Sequence, residues 1–421
     1  MNETLLQYHV SVEGIKQAAE KLDGVITRTP LQKNLHLSEK YKANISLKRE
    51  DLQVVRSYKI RGAYNKISSL TQEELQHGVV CASAGNHAQG VAYACQQKKI
   101  RGVIFMPTPT PDQKIKQVKM FGKEHIEVVL IGDTFDDAYK EAITYGKRHK
   151  MALIPPFDDE KIIEGQGTVG LEILKDSREP IDYLLLPVGG GGLASGIAAY
   201  FKEVSPQTKI IGVEPEGAAA MKASLQQGKV VTLEKIDKFV DGAAVKKVGD
   251  LNFEICKAKI DQVITVPEGK VCSEILSLYN EQAIVVEPAG ALSIAALSLI
   301  EEPIEGKNIV CVVSGSNNDM TRTMEIKERS MLYEGLKHYF IVNFPQRAGA
   351  LREFLMEVLG PDDDITHFEY SKKNNRERGP ALIGLELKKS TDLSALIARM
   401  NQKKFRYEYV NDQPHLFHYL I

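Results

Sequence analysis

A chain of 421 residues is longer than one hydrophobic core serves, so two or three domains are expected, and an apolar content of 43% supplies material for them. Its 54 basic and 55 acidic residues nearly cancel and form no dense cationic stripe, which argues against nucleic acid as a partner. Five scattered cysteines without a Cys-x-x-Cys pair argue against a zinc site or disulfide framework, and no run of about 18 apolar residues or cationic leader appears, so a cytoplasmic, membrane-free protein is expected.

The first element with chemical promise spans residues 56–63, Arg-Ser-Tyr-Lys-Ile-Arg-Gly-Ala, where Lys59 stands at the expected start of a helix. An ammonium group is disfavoured at that end of the macrodipole, and a lysine that attacks a carbonyl must be neutral, so Lys59 is a candidate Schiff-base residue. Taken alone, the segment also reads as solvated surface. From Val79 onward, short apolar runs alternate with amphipathic stretches: strands at 79–82, 102–106, 127–131 and 152–154, helices at 88–97, 112–121 and 135–149. That alternation predicts a parallel sheet with both faces covered.

Ser83-Ala-Gly-Asn-His-Ala-Gln-Gly90 sits at the first strand-to-helix junction and offers the N–H groups of Ala84, Gly85, Asn86 and His87 to a carboxylate. The Asn86 amide suits a phenolic oxygen, and an Asx-type helix cap is an equal alternative. After Pro155-Pro156, a crossing point between two lobes, the alternation restarts with strands at 183–188, 210–213 and 309–313. Gly189, Gly190, Gly191 and Gly192 follow the first of these and lead through Leu193 into a helix, a cradle of backbone N–H groups suited to a phosphate. The spacing is neither Gly-x-Gly-x-x-Gly nor a Walker loop, although a tight turn alone is the structural alternative. Ser314, just past the strand at 309–313, places a hydroxyl at the ligand-bearing edge of a doubly wound sheet, within the reach of a ring nitrogen. Lysine, amide loop, glycine cradle and hydroxyl together describe a pocket for pyridoxal 5'-phosphate. Residues 164–168 and 287–290 read as ordered loops near it, without an assigned role.

The pattern changes near Ser330. Strand, helix, strand, strand, helix and strand are predicted at 339–344, 350–359, 365–370, 381–387, 393–401 and 407–410, with a charged turn at 372–378. This β-α-β-β-α-β order is the ferredoxin-like plan, so a separate α+β module is expected from about residue 331.

With these motifs assembled, the chain resembles the fold-type II pyridoxal-phosphate enzymes and, within them, the serine/threonine dehydratases. Residues 48–53 followed by 57–63 resemble that family's lysine signature, 83–90 its Ser-Ala-Gly-Asn-His-Ala-Gln-Gly loop, and 189–193 its phosphate cradle; Phe344-Pro-Gln-Arg-Ala-Gly-Ala-Leu351 resembles the effector loop of the single ACT-like domain that biosynthetic threonine dehydratases carry. The resemblance implies a two-lobed α/β catalytic domain over 1–330, with a small lobe of about 55–155 inserted in a large one, and a regulatory domain over 331–421. It implies Lys59 as the cofactor's anchor and the base, Asn86 at the cofactor's 3-hydroxyl, Gly189 to Leu193 at its phosphate, Ser314 at its ring nitrogen, and Ser83 to His87 at the substrate carboxylate. It implies deamination of threonine to 2-oxobutanoate, inhibition by isoleucine, and a homotetramer or dimer. A serine dehydratase or racemase, and a non-catalytic amino-acid sensor, are the competing readings; the added module weighs against the first, and an intact Lys59 against the second. Glu214 and Ala218 match the cation site of related serine racemases, but Ala220 stands where those carry an acid, so no metal is assigned.

Overall fold

The computed structural model describes residues 10–370 and 378–413; most of the expected charged turn lies outside them. The chain forms two compact units, Met1–Asn318 and Asp319–Ile421.

The first unit holds two sheets. One has six strands in the order Leu31–Lys33, Asn44–Arg49, Asn308–Val313, Tyr183–Pro187, Lys209–Pro215 and Gln262–Val266, all parallel except the first, which pairs antiparallel. The other has four parallel strands in the order Ile126–Leu130, Gly102–Met106, Val79–Ala82 and Ala152–Leu153. In sequence, all of the second sheet lies between neighbouring strands of the first. Every residue of Val79–Ala82, Gly102–Met106 and Tyr183–Pro187 is buried, as strands covered by helices on both faces must be.

Two helix crossings set the position of Lys59. The helix Lys59–Ser69 crosses Glu160–Asp176 where Gly62 meets Gly165; a Cβ on Gly165 would lie 2.5 Å from the Arg61 carbonyl oxygen and 2.7 Å from the Gly62 Cα. It meets Asn86–Lys98 at Gly90, whose Cβ would lie 3.1 Å from the Ile60 backbone. Glu164–Thr168, expected as a loop, is therefore helix interior. Its glycines serve close helix contact rather than turning, and periodicity alone does not distinguish the two uses.

A buried ion network ties the same helices to the large sheet. The fully buried Arg61 guanidinium donates to Glu50 Oε1 and Oε2 at 2.8 Å each and to Glu172 Oε1 at 2.7 Å, while Lys48 donates to Glu172 Oε2 at 2.5 Å and to the Thr29 carbonyl at 2.6 Å. Each charge thus has an opposite partner, the condition under which ions are tolerated in an interior.

In the second unit, four antiparallel strands run in the order Asp364–Tyr370, Arg378–Glu386, Lys337–Pro345 and Arg406–Tyr409, with helices Ala350–Glu357 and Asp392–Gln402 in the β-α-β-β-α-β sequence order. Phe340, Val342, Phe354, Ile383, Leu385, Leu396 and Met400 form its core. The helix Thr323–Tyr333 belongs to this unit, and Glu328 accepts from Tyr339 on the central strand.

Candidate active site

Three junctions converge at the C-terminal ends of parallel strands, the edge where open α/β sheets carry ligands: Ala82 to Asn86, Pro187 to Gly192, and Val313 to Asn317. Ser57 and Gly315 form an antiparallel bridge, the Tyr58 N–H donates to the Ser314 carbonyl at 3.2 Å, and the Ser316 N–H donates to the Arg56 carbonyl at 2.9 Å. The lysine segment and the Ser314 loop are therefore stitched together. Ser316 Oγ also donates to the Asp51 carbonyl at 3.0 Å, which adds a side-chain tie to the same junction.

Lys59 opens its helix, as the sequence suggests, and its Nζ donates to the Pro156 carbonyl at 3.2 Å between the rings of Tyr58 and Phe157. Burial pushes its pKa down to about 8, with Glu287 opposing. The amine is thus poised near the range in which it acts as a base.

In the Ser83 loop the donors divide. The Ser83 N–H donates to the Phe105 carbonyl and the Gly85 N–H to the Ser83 hydroxyl, which leaves those of Ala84, Asn86 and His87 at the start of Asn86–Lys98 uncommitted to any acceptor among the described residues. The His87 ring is buried against the Ile154 carbonyl at 2.9 Å, and burial, reinforced by the Lys59 charge, takes its pKa down to about 3. It is a neutral structural group, and only its backbone faces the loop's mouth.

At the cradle, Gly191 has φ of 98°, a conformation in which a side chain is strained. A Cβ on Gly189 would lie 2.9 Å from Ala243 Cα, and one on Gly190 would enter the ring of Phe157. No acceptor among the described residues takes the N–H groups of Gly189 to Leu193. Asn252 Nδ2 holds the Gly190 carbonyl at 3.0 Å and the Phe157 carbonyl at 3.2 Å, while the Asp158 carboxylate accepts from the N–H groups of Asp250 and Leu251. Residues 156–158 thus link the amine to the cradle. Free N–H groups at a side-chain-free turn, and at the Ser314 loop the buried, unpartnered Ser57 Oγ and Asn317 Oδ1, fit a phosphorylated, hydrogen-bonding guest such as pyridoxal phosphate.

Sequence reading missed Asn317, Phe157 and Asn252, and it left Glu287 without a role in a segment expected as a loop, 287–290, that is instead the start of the helix Pro288–Ala295. Glu287, at the N-terminus of Pro288–Ala295, accepts from Asn86 Nδ2 at 2.7 Å, and Asn317 Nδ2 donates to Asn86 Oδ1 at 2.7 Å. Nothing in the sequence paired Glu287 with Asn86. Glu214 accepts from the N–H groups of Met221 and Lys222 at 2.7 and 2.8 Å and so caps a helix, and no cluster of three or more His, Cys, Asp or Glu side chains among the described residues is placed to hold a metal. No helix among them is long and apolar enough to cross a membrane.

Comparison with known proteins identifies the family. Residues 22–315 match the family model for pyridoxal-phosphate dependent enzymes, and residues 328–420 that for the C-terminal regulatory domain of threonine dehydratase. The chain is 61% identical to the L-threonine dehydratase biosynthetic IlvA of Halalkalibacterium halodurans over 98% of its own length and 99% of the relative's, and 58% identical to that of Bacillus subtilis over 98% of each. Among solved structures, the processed form of threonine deaminase isoform 2 from Solanum lycopersicum is similar, with TM-score 0.71 and 40% identity over 76% of this chain and 94% of that one. The chain is a pyridoxal-phosphate dependent enzyme and belongs to the threonine dehydratases, in the branch that carries a C-terminal regulatory domain.

Proposed function

We propose that the chain deaminates L-threonine to 2-oxobutanoate and ammonia as the first committed step of isoleucine synthesis, in the cytoplasm and as a homotetramer, and that isoleucine inhibits it through the C-terminal unit. The observation that carries the chemistry is the partly buried, desolvated Lys59 amine, held at the Pro156 carbonyl beside the Phe157 segment that Asn252 ties to the glycine cradle. The regulatory reading is supported by the domain match and by Gly349, whose φ of 84° shapes the strand-to-helix turn that resembles an effector loop.

Lys59 is the anchor for pyridoxal phosphate, with Asn86 at the cofactor's 3-oxygen, Gly189 to Leu193 at its phosphate and Ser314 at its ring nitrogen. When bound, the cofactor supplies an electron sink for the pair left at the substrate's α-carbon. The Ala84, Asn86 and His87 N–H groups hold the substrate carboxylate at a helix N-terminus. Once free, the Lys59 amine takes the α-proton, a role that burial favours by lowering its pKa from 10.5 to about 8. Loss of the β-hydroxyl and hydrolysis then give the 2-oxo acid and ammonia. A serine rather than a carboxylate at the ring nitrogen leaves that nitrogen largely unprotonated, which disfavours side reactions such as transamination.

Steady-state turnover of threonine and of serine, each with and without isoleucine, tests substrate and control together. One methyl group is worth about 10- to 200-fold in selectivity, so threonine is expected to lead serine within that range and isoleucine to inhibit both. Equal use of serine, or indifference to isoleucine, contradicts the proposal.

A further inference from the structure

We propose that Glu287 and Asn317 are positioning residues that hold the Asn86 amide in one orientation, with its second N–H directed to the cofactor's 3-oxygen. The inference rests on the reading of Asn86 given above and adds what fixes that side chain.

Both ends of the hydrogen-bond run dictate its direction. The Val55 carbonyl can only accept, and it takes Asn317 Nδ2 at 3.0 Å; the same Nδ2 lies 3.0 Å from Gln89 Oε1 and 2.7 Å from Asn86 Oδ1. Asn317 must therefore present its NH2 group to Asn86, which must answer with its oxygen. The Asn86 NH2 group is then left facing the other way, and it meets Glu287 Oε1 at 2.7 Å. When ionised, that carboxylate also accepts only, so in that state the far end specifies the same arrangement. Turning the Asn86 amide over would oppose NH2 to NH2 at one end and oxygen to carboxylate at the other. One N–H of Asn86 is spent on Glu287, and the second remains for a ligand.

The carboxylate has no other structural task. Glu287 begins the helix Pro288–Ala295, yet its side chain caps none of that helix's N–H groups. Its backbone is held instead, with its N–H donating to the Gly315 carbonyl at 3.1 Å and its carbonyl accepting from Gly290 at 2.8 Å. The space it fills is made by two glycines from other segments: a Cβ on Gly315 would lie 2.9 Å from Glu287 Cδ, and one on Gly242 would lie 3.5 Å from its Oε1. Lys59 at the start of the lysine helix, Asp241 beside Gly242, and Lys114 all act on its charge, which in turn raises the pKa of the neighbouring Tyr58. Burial and the Asp241 charge push its pKa up to about 7, against the pull of the Asn86 hydrogen bond, Lys114 and Lys59, so its charge is set within the operating range.

The test uses the full-length enzyme and its E287A, E287Q, N317A, N86A and N86A/E287A variants. Readouts are pyridoxal phosphate affinity by fluorescence titration, the cofactor's absorption spectrum, and kcat and kcat/KM against pH. E287A and N317A are each expected to weaken cofactor affinity about tenfold, the order of one hydrogen bond, and to shift the spectrum as N86A does. The double variant should be no weaker than N86A alone, because the pair acts through Asn86. A glutamine side chain still offers an accepting oxygen, so E287Q should restore affinity to within about threefold while removing the acid limb of the pH profile that Glu287 contributes. If E287A is too unstable to purify, E287Q and N317A carry the same comparison from either end of the run. Native affinity and spectrum in E287A or N317A, or losses that add in the double variant, overturn the inference while leaving the function standing. A wild-type enzyme that takes up no cofactor overturns the function itself.

Discussion

Lys59 and Glu287 give the apoenzyme opposite pH signatures that can be separated by substitution. For Lys59 the folded pKa of about 8 lies below its ordinary value of 10.5, so between them the unfolded chain binds more protons and stability rises with pH. For Glu287 the folded pKa of about 7 lies above the ordinary 4.5, so the folded chain binds more protons between them and stability falls as pH rises. Thermal unfolding of the apoprotein should therefore lose its rise between pH 8 and 10.5 in K59M, and its fall between pH 4.5 and 7 in E287Q; unchanged slopes would contradict the burial of these groups. K59A should lose about 10^2- to 10^4-fold or more in turnover while keeping its fold, measured by steady-state kinetics beside circular dichroism. At this scale Lys59, Ser314 and the glycines were legible because each motif is local and sits at a strand end. Glu287 and Asn317 were not, because their meaning comes from Asn86, 201 and 231 residues away in sequence.

The helix that begins at Lys59 is aimed by its neighbours rather than by its own propensity. Its crossing with Glu160–Asp176 admits no side chain at Gly165, since the nearest atoms are backbone of Arg61 and Gly62 and cannot yield without moving the helix. G165A is expected to destabilise by about 1 to 3 kcal/mol and to lower cofactor affinity in parallel, as calorimetry and fluorescence titration would show. A variant of native stability would mean that the helices do not meet there. Arg61, two residues from the reactive amine, anchors the same helix to Glu50 and Glu172; R61A leaves two buried carboxylates short of a partner and should cost about 3 to 5 kcal/mol in chemical denaturation. The helices and strands from Val79 to Leu153 follow from apolar periodicity to within a residue or two. Glu164–Thr168 departs from that reading because glycine in a helix interior carries the same local signal as glycine in a turn.

The whole molecule divides between Asn318 and Asp319, just past the Ser314 loop in sequence. A chain ending at Asn318 is expected to keep threonine turnover and lose its response to isoleucine; one that remains fully inhibited would place the effector site elsewhere. The β-α-β-β-α-β order was readable because each strand and helix is short and bounded by turn residues. The strand Asn44–Arg49 escaped the alternating pattern because its parallel partner, Asn308–Val313, lies more than 250 residues onward. The most direct measurement is borohydride reduction of the full-length, cofactor-loaded enzyme followed by peptide mass spectrometry. A pyridoxyl group is expected on Lys59, with activity lost in proportion to its incorporation. An unmodified Lys59, or a label carried by another lysine, would contradict the assignment on which the mechanism stands.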